Sequence, residues 1–226
     1  MPETITIQRE PSRRSATVTL ARPERKNALS AQLRDEVTAA LAELGADPAV
    51  SSVVITGTGD VFSAGFDLGE FTRAAEDPAF GEELWASSDR FHHALLTFPL
   101  PLVAAVNGPA LAGGFDLAIC CDLRIASTRA RFAHPEFTFG DVVYSPLHEL
   151  VGGAVARELC LGGRELDAAE ALARHVVNEV VEPAALAARV EVLTERIASA
   201  PRDRLLRTKA KAIARAGISL GPTLDL

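Results

Sequence analysis

Three cysteines in 226 residues, Cys120, Cys121 and Cys160, make neither an even disulfide set nor a C-x-x-C pair. Cys120 and Cys121 lie together in an apolar run and read as small buried hydrophobes of a reducing compartment. No block of basic residues occurs and the formal net charge is −7, which argues against a nucleic-acid partner. No stretch reaches the roughly 18 uninterrupted apolar residues of a membrane span. The opening MPETITIQRE lacks the apolar core of a signal peptide and is not Arg/Ser-rich, so the cytoplasm is the expected location. Of the five histidines, His92 and His93 are neighbours that point apart, and His134, His148 and His175 each stand alone. No histidine-based metal site is expected. Three further patterns are incomplete. VVITGTGD supplies Gly57 and Gly59, but Phe62 stands where a dinucleotide fingerprint needs its third glycine. GTGDVFSAG lacks the Gly-Lys-Ser/Thr of a phosphate loop, and Ser63 lacks a G-x-S-x-G elbow.

A hydrophobic content of 48% over this length fits one globular unit with a sizeable core. Thr4–Arg9 and Ala16–Leu20 alternate like two strands around the turn-rich PSRRS and predict an antiparallel hairpin. Ser30 is a good cap for a helix running to about Gly45, with Leu33, Val37, Leu41 and Leu44 on one face. Strand Val53–Thr56 follows. The order strand, loop, helix, strand then recurs through helix Trp85–Phe98, strand Val103–Val106, helix Ala112–Cys121 and strand Leu123–Ala126. Residues 140–146 read as an irregular loop, and a helix is expected from Gly153 to Leu161, stopped by Gly162-Gly163. Asp167 caps a short helix (Ala168–Arg174), and a strand is expected at Val176–Val181. Pro183–Ser199 and Arg202–Ala216 read as two amphipathic helices, and the tail GISLGPTLDL has little pattern. No linker divides the chain; residues 1–182 are expected to form a core and 183–226 a helical C-terminal part.

The stretch most suggestive of chemistry is PLVAAVNGPALAGGFDLAICCD (Pro101–Asp122). A buried strand, the Asn107-Gly108-Pro109 turn and Ala112-Gly113-Gly114 lead into an apolar helix, which places bare N–H groups at a helix start. Such N–H groups can hold an oxyanion, and glycine lets a ligand approach the backbone. Asp116, in the first helical turn, sits beside that position; alternatively it only complements the helix dipole. VVITGTGDVFSAGFDL repeats the strand, glycine turn and acid. RFAHPEFTFG places Glu136 directly after a proline.

Taken together, these segments resemble the enoyl-CoA hydratase/isomerase (crotonase) superfamily. ARPERKNALS is similar to its first signature, FSAGFDL to its first oxyanion loop, VNGPALAGGFDLAICCDLRIAS to its second, and FAHPEFTFG to its acid-bearing loop. The resemblance implies an α/β fold, a crotonase-type (ClpP/crotonase-like) spiral of ββα units with a helical C-terminal part. It implies action on an acyl-CoA or enoyl-CoA thioester, with no cofactor beyond that substrate. It also implies a homo-oligomer, a trimer or a dimer of trimers. The N–H groups of Phe66 and Gly113 would hold the thioester oxygen, and Glu136 and Asp116 would be the catalytic carboxyls. Ala64, Gly65, Asp67, Leu68, Gly114 and Tyr144 would line the substrate site. Lys26 and Arg25 would contact CoA phosphates, or else stay solvated in their loop.

Departures from the family pattern bear on the reaction. Asp116 is one methylene shorter than the family's glutamate, and a displacement of about 1 Å can cost on the order of 10²-fold in rate. Members that shift dienes carry another acid eight residues after the glutamate; Tyr144 occupies that position. GDVVYSPLHELVGG replaces the usual glycine-rich run, Asp141 is an unplaced extra acid, and the ending is short for the family. The readings kept open are a hydratase, placed first; an isomerase; and an acyl-CoA-binding member without catalysis.

Overall fold

The structure, a computed structural model describing residues 2–226, is organised on a six-stranded sheet in the order β1-β2-β3-β4-β6-β9. β1 (Ile5–Glu10) and β2 (Ser15–Leu20) pair antiparallel, and Arg14 turns the chain between them in the left-handed region (φ 47°). From β2 onward the pairing is parallel through β3 (Ser52–Gly57), β4 (Leu102–Val106), β6 (Leu123–Ser127) and β9 (Glu179–Val181). Parallel neighbours need long crossovers. The first three are helix α1 (Ala31–Ala46), the pair α2 (Leu68–Glu76) and α3 (Pro78–Leu96), and the short α4 (Gly113–Ile119); the fourth, from β6 to β9, runs through residues 128–178. Ser30 accepts a hydrogen bond from the Leu33 N–H at 3.2 Å and so starts α1 where expected. Leu33, Val37, Leu41 and Leu44 then bury completely against the sheet.

A second, three-stranded sheet positions the site. β5 (Ala110–Leu111) pairs parallel with β7 (Arg131–Ala133), and β7 pairs antiparallel with β8 (Leu166–Asp167). Its register sets Leu111 against Ala133, so the segment entering α4 runs beside the segment entering His134–Glu136. An isolated bridge between Ser63 and Ala110 brings the loop after β3 alongside as well.

The remaining helices are α5 (Ser145–Gly162), α6 (Ala168–Ala173), α7 (Leu186–Ala198) and α8 (Arg202–Arg215). Helix α3 begins earlier than expected because Asp77 caps it, accepting from the Phe80 N–H at 3.2 Å, and Pro78 takes the first position. The loop expected over 140–146 ends at Tyr144. A helical arm starts at Ser145, bends at Gly152 (φ 76°, ψ 165°) and resumes as the expected helix, which Gly163 stops in the left-handed region. The strand expected from Val176 is shorter, because the N–H groups of Val176 and Val177 turn back to the Ala171 carbonyl. Helix α7 covers the outer face of the sheet, where Leu186 and Val190 meet Val54, Val103, Ala105 and Ile125. The patternless tail is anchored. The Thr223 N–H donates to Asp89 at 2.6 Å, and the Leu226 carbonyl accepts from the N–H groups of Tyr144 and Ser145. No helix of the described residues is long and apolar enough to cross a membrane.

Candidate active site

The two glycine loops are packed backbone against backbone. Gly65 takes φ 91°, and a Cβ on it would stand 2.6 Å from the Ala112 Cβ and 3.1 Å from the Gly113 nitrogen. The Leu111 N–H donates to the Ser63 carbonyl at 3.0 Å, and the Ala112 N–H to Ala133 at 2.9 Å. Ala112 itself lies at φ 50°, ψ −132°, a strained conformation for an alanine immediately before Gly113. Among the described residues, no acceptor takes the N–H of Phe66 or of Gly113. The Phe66 ring covers Gly113, whose Cβ would meet it at 2.9 Å. The buried Arg34 guanidinium supports that ring from 4.5 Å and donates to the carbonyls of Leu29 and Leu84. Burial lowers Arg34 to about 10, which leaves it charged at neutral pH.

The carboxyls lie where the second sheet carries them. Asp116 faces inward on α4, and Glu136 sits in a 3-10 turn (Pro135–Thr138); their side chains are 6% and 13% exposed. His134, fully buried, stands between them, its Nδ1 3.1 Å from Glu136 Oε1 and 3.7 Å from Asp116 Oδ1. Its ring leans on Phe115 with centroids 4.8 Å apart. The expectation that His134 stands alone is therefore corrected: β5–β7 pairing gives it both carboxyls as neighbours. Burial pushes Asp116 up to about 7, against the pull of His134 and with the Glu136 charge adding to it. Burial opposes a charged His134, but the Glu136 hydrogen bond and the two carboxylate charges outweigh it, and His134 titrates above its ordinary value. Asp116 Oδ1, Glu136 Oε2 and His134 Nε2 have no hydrogen-bond partner among the described residues. One ligand atom from each of the three lies within 4.8 Å of the others, a spacing an ion could bridge. Here the Nδ1–Oε1 hydrogen bond and charge pairing among the three account for it.

Other expected site residues fall in several places. The Lys26 carbonyl accepts from the Ala64 N–H at 3.0 Å, so its backbone braces the first loop while its side chain, like that of Arg25, is exposed. Buried Asn27 donates to the carbonyls of Thr58 and Val61, tying ARPERKNALS to the same loop. Two of the expected contact residues also have structural roles. The Asp67 carboxylate is engaged internally, capping α2 through the Gly69 N–H and pairing with Arg22 at 2.9 Å. The Gly114 α-carbon faces Ser63, whose Cβ would lie 2.8 Å from an added methyl, so glycine is needed there for loop contact. Leu68 is 66% exposed at the start of α2. Tyr144 is half-buried with its ring 5.5 Å from that of His148, and Asp141 is exposed. Cavities of about 370 Å³ under α7 and about 280 Å³ beside α8 include none of Phe66, Gly113, Asp116 or Glu136. His134 and Arg34 escaped sequence reasoning. For His134 the available signal was its position two residues before Glu136; Arg34 had none on a helix face read for its leucines.

Residues 12–220 match the enoyl-CoA hydratase/isomerase family. A putative enoyl-CoA hydratase of Thermus thermophilus is 40% identical over 211 residues, covering 91% of this chain and 83% of that protein. A probable enoyl-CoA hydratase of Rhizobium meliloti is 37% identical over 198 residues, 86% of this chain and 76% of that one. The solved enoyl-CoA hydratase/isomerase of Xanthobacter autotrophicus Py2 superposes with a TM-score of 0.88 at 31% identity, over 95% of this chain and 80% of that chain. The chain therefore belongs to the enoyl-CoA hydratase/isomerase, or crotonase, family, and the expected crotonase-type fold is the one it has.

Proposed function

We propose that the protein hydrates a 2-trans-enoyl-CoA. The observation that carries this reading is the pair of unaccepted N–H groups, Phe66 and Gly113, on two touching loops one of which leads straight to Asp116. Preorganised donors stabilise a thioester oxygen as it becomes an enolate, typically by a few kcal/mol each. Glu136 takes a proton from water as its oxygen adds to the β-carbon, then returns a proton to the α-carbon. Asp116 positions that water. Protons and electrons balance within substrate and water, so the reaction needs no redox group. The CoA portion is the only cofactor moiety involved, carried by the substrate, and Lys26 and Arg25, exposed in their loop, would meet its phosphates. Self-assembly, as a trimer or a dimer of trimers, belongs to the same proposal; exposed Phe137 and Phe139 beside Glu136 offer apolar surface for it.

A second reading, double-bond migration, is favoured by one observation: Asp116 is short, buried and raised to about 7, which leaves Glu136 as the single ready base. The test follows the conjugated enoyl-thioester absorbance with a short 2-trans-enoyl-CoA, for wild type and Glu136→Gln, and weighs the product. Loss of absorbance with one added water, abolished in the variant, establishes the hydratase. Turnover only of a 3-enoyl-CoA establishes the isomerase. Binding without conversion of either removes both readings in favour of a non-catalytic acyl-CoA-binding protein.

A further inference from the structure

Between the two carboxyls stands a side chain that the thioester reading does not use. His134 is fully buried and held on one side by the Phe115 ring, which itself packs on Phe132 at 5.4 Å. Its Nδ1 has two acidic neighbours, a hydrogen-bonded one at 3.1 Å and a more distant one at 3.7 Å. We infer that His134 is a positioning residue that holds Glu136 as the carboxylate base and leaves the remaining proton of the acid pair on Asp116.

The charge balance of the pocket supports this assignment. An imidazolium, a carboxylate and a carboxylic acid together are electrically neutral and still contain a base. Two unshielded carboxylates in so buried a place would repel each other at high cost. The asymmetry decides which acid keeps the proton. Each acid has one oxygen without a partner, but Glu136 receives the His134 hydrogen bond at 3.1 Å and is the more exposed of the two, whereas Asp116 stands off at 3.7 Å and is the more buried. The other titratable groups facing the cluster are the thiols of Cys120, at the C-terminal cap of α4, and Cys160 on α5. Burial holds both well above their ordinary range, Cys160 at about 12, so neither contributes charge. The direction of the shifts at His134 and Asp116 agrees with the geometry.

The inference rests on the thioester reading for its meaning, but its first test needs no turnover. Side-chain ¹⁵N spectra of the intact protein report the protonation of each histidine, and His134 is assigned by its loss in His134→Gln. If that variant does not fold, His134 is assigned as the resonance that moves in Glu136→Gln. His134 is expected to remain an imidazolium to a pH above the ordinary histidine value, and to lose that stability in Glu136→Gln, where burial remains and the partner charge is gone. A His134 that is neutral at pH 7 overturns the inference, as does one equivalent of bound transition metal in the purified protein by elemental mass spectrometry.

If the protein turns over either enoyl-CoA, kinetics give the second readout. In His134→Gln both limbs of the kcat/KM profile are expected to move to higher pH by about one unit, with kcat at pH 7 down about tenfold and KM within about twofold. A profile lowered without displacement means that His134 only fills space, and overturns the positioning role. Spectra as expected with no turnover at all leave the proton assignment standing and count against the proposed reaction instead.

Discussion

Around Ser63–Asp67 and Ala112–Asp116 the backbones are so close that a single methyl has no room, whereas from Phe137 to Asp141, and again at Gly152, the chain is exposed. An added Cβ at Gly114 would lie 2.8 Å from the Ser63 Cβ, but at Gly140 its nearest contact would be 3.9 Å and at Gly152 there is none within 4 Å. Phe139 is 71% exposed in the open stretch; Phe62 and Phe115, beside the packed loops, are fully buried. On the proposed reaction the difference matches two tasks. Donors that stabilise a developing charge must be fixed before the reaction, because reorganising them would cost what they gain. The region beyond the acid needs no such rigidity. Glu136 and His134 lie at the junction, fixed by β7 on one side and leading into the open segment on the other.

The contrast can be broken most sharply at Gly65. Gly65→Ala forces a side chain onto φ 91° and against Ala112, so kcat is expected to fall about 10²–10³-fold as the donors shift. Unchanged turnover in steady-state assays would separate this loop from the chemistry. Gly114→Ala is expected to destabilise the fold by about 3 kcal/mol, because Ser63 backbone and side chain both stand in the way. Urea unfolding measures this, and a loss under about 1 kcal/mol would show that the loops are looser than described.

Asp116→Asn sharpens the comparison through pH. A carboxyl raised to about 7 in the folded chain, from its ordinary value of 3.8, stays protonated there while the unfolded chain ionises. Stability is therefore lost as pH rises from about 4 to about 7 and stays lost above that. Asparagine has no such loss. The variant is expected to be more stable than wild type by about 2 kcal/mol or more at pH 8, with the gain fading toward pH 4. Thermal unfolding at the two pH values checks it; equal gains at both would mean that Asp116 is not held protonated.

The open region should respond least to added bulk. Gly152→Ala meets no neighbour but must adopt φ 76°, ψ 165°, a region left almost wholly to glycine, for an expected loss of about 1–3 kcal/mol. Gly140→Ala is expected to change stability by less than about 0.5 kcal/mol. A large effect at Gly140 would mean that the segment after Glu136 is packed in solution against something else, such as a second copy of the chain.

Much of this organisation can be read from the chain alone. Alternation around PSRRS sets the hairpin, the leucine spacing after Ser30 sets α1, and Gly162-Gly163 sets the end of α5, because each depends on neighbours a few residues away. The glycine loops are legible for the same reason: a strand, a turn that needs glycine and a helix start are local features. The kink at Gly152 is not legible, since nothing in VGG distinguishes a bend within a helix from the start of one. Nor is the internal use of Asp67, which needs Arg22 beside it.

The sequence by itself determined the class of the protein and most of its elements, and its family resemblance pointed to Phe66, Gly113, Asp116 and Glu136 as candidates. The tertiary structure alone decided what surrounds those carboxyls. A parallel pairing of two short strands, Ala110–Leu111 with Phe132–Ala133, sets His134 between Asp116 and Glu136, and closure of the core around them raises Asp116 to about 7. Periodicity is a property of consecutive residues and survives in the sequence. Burial and Coulomb interaction depend on distances through space, and those exist only once the strands have paired.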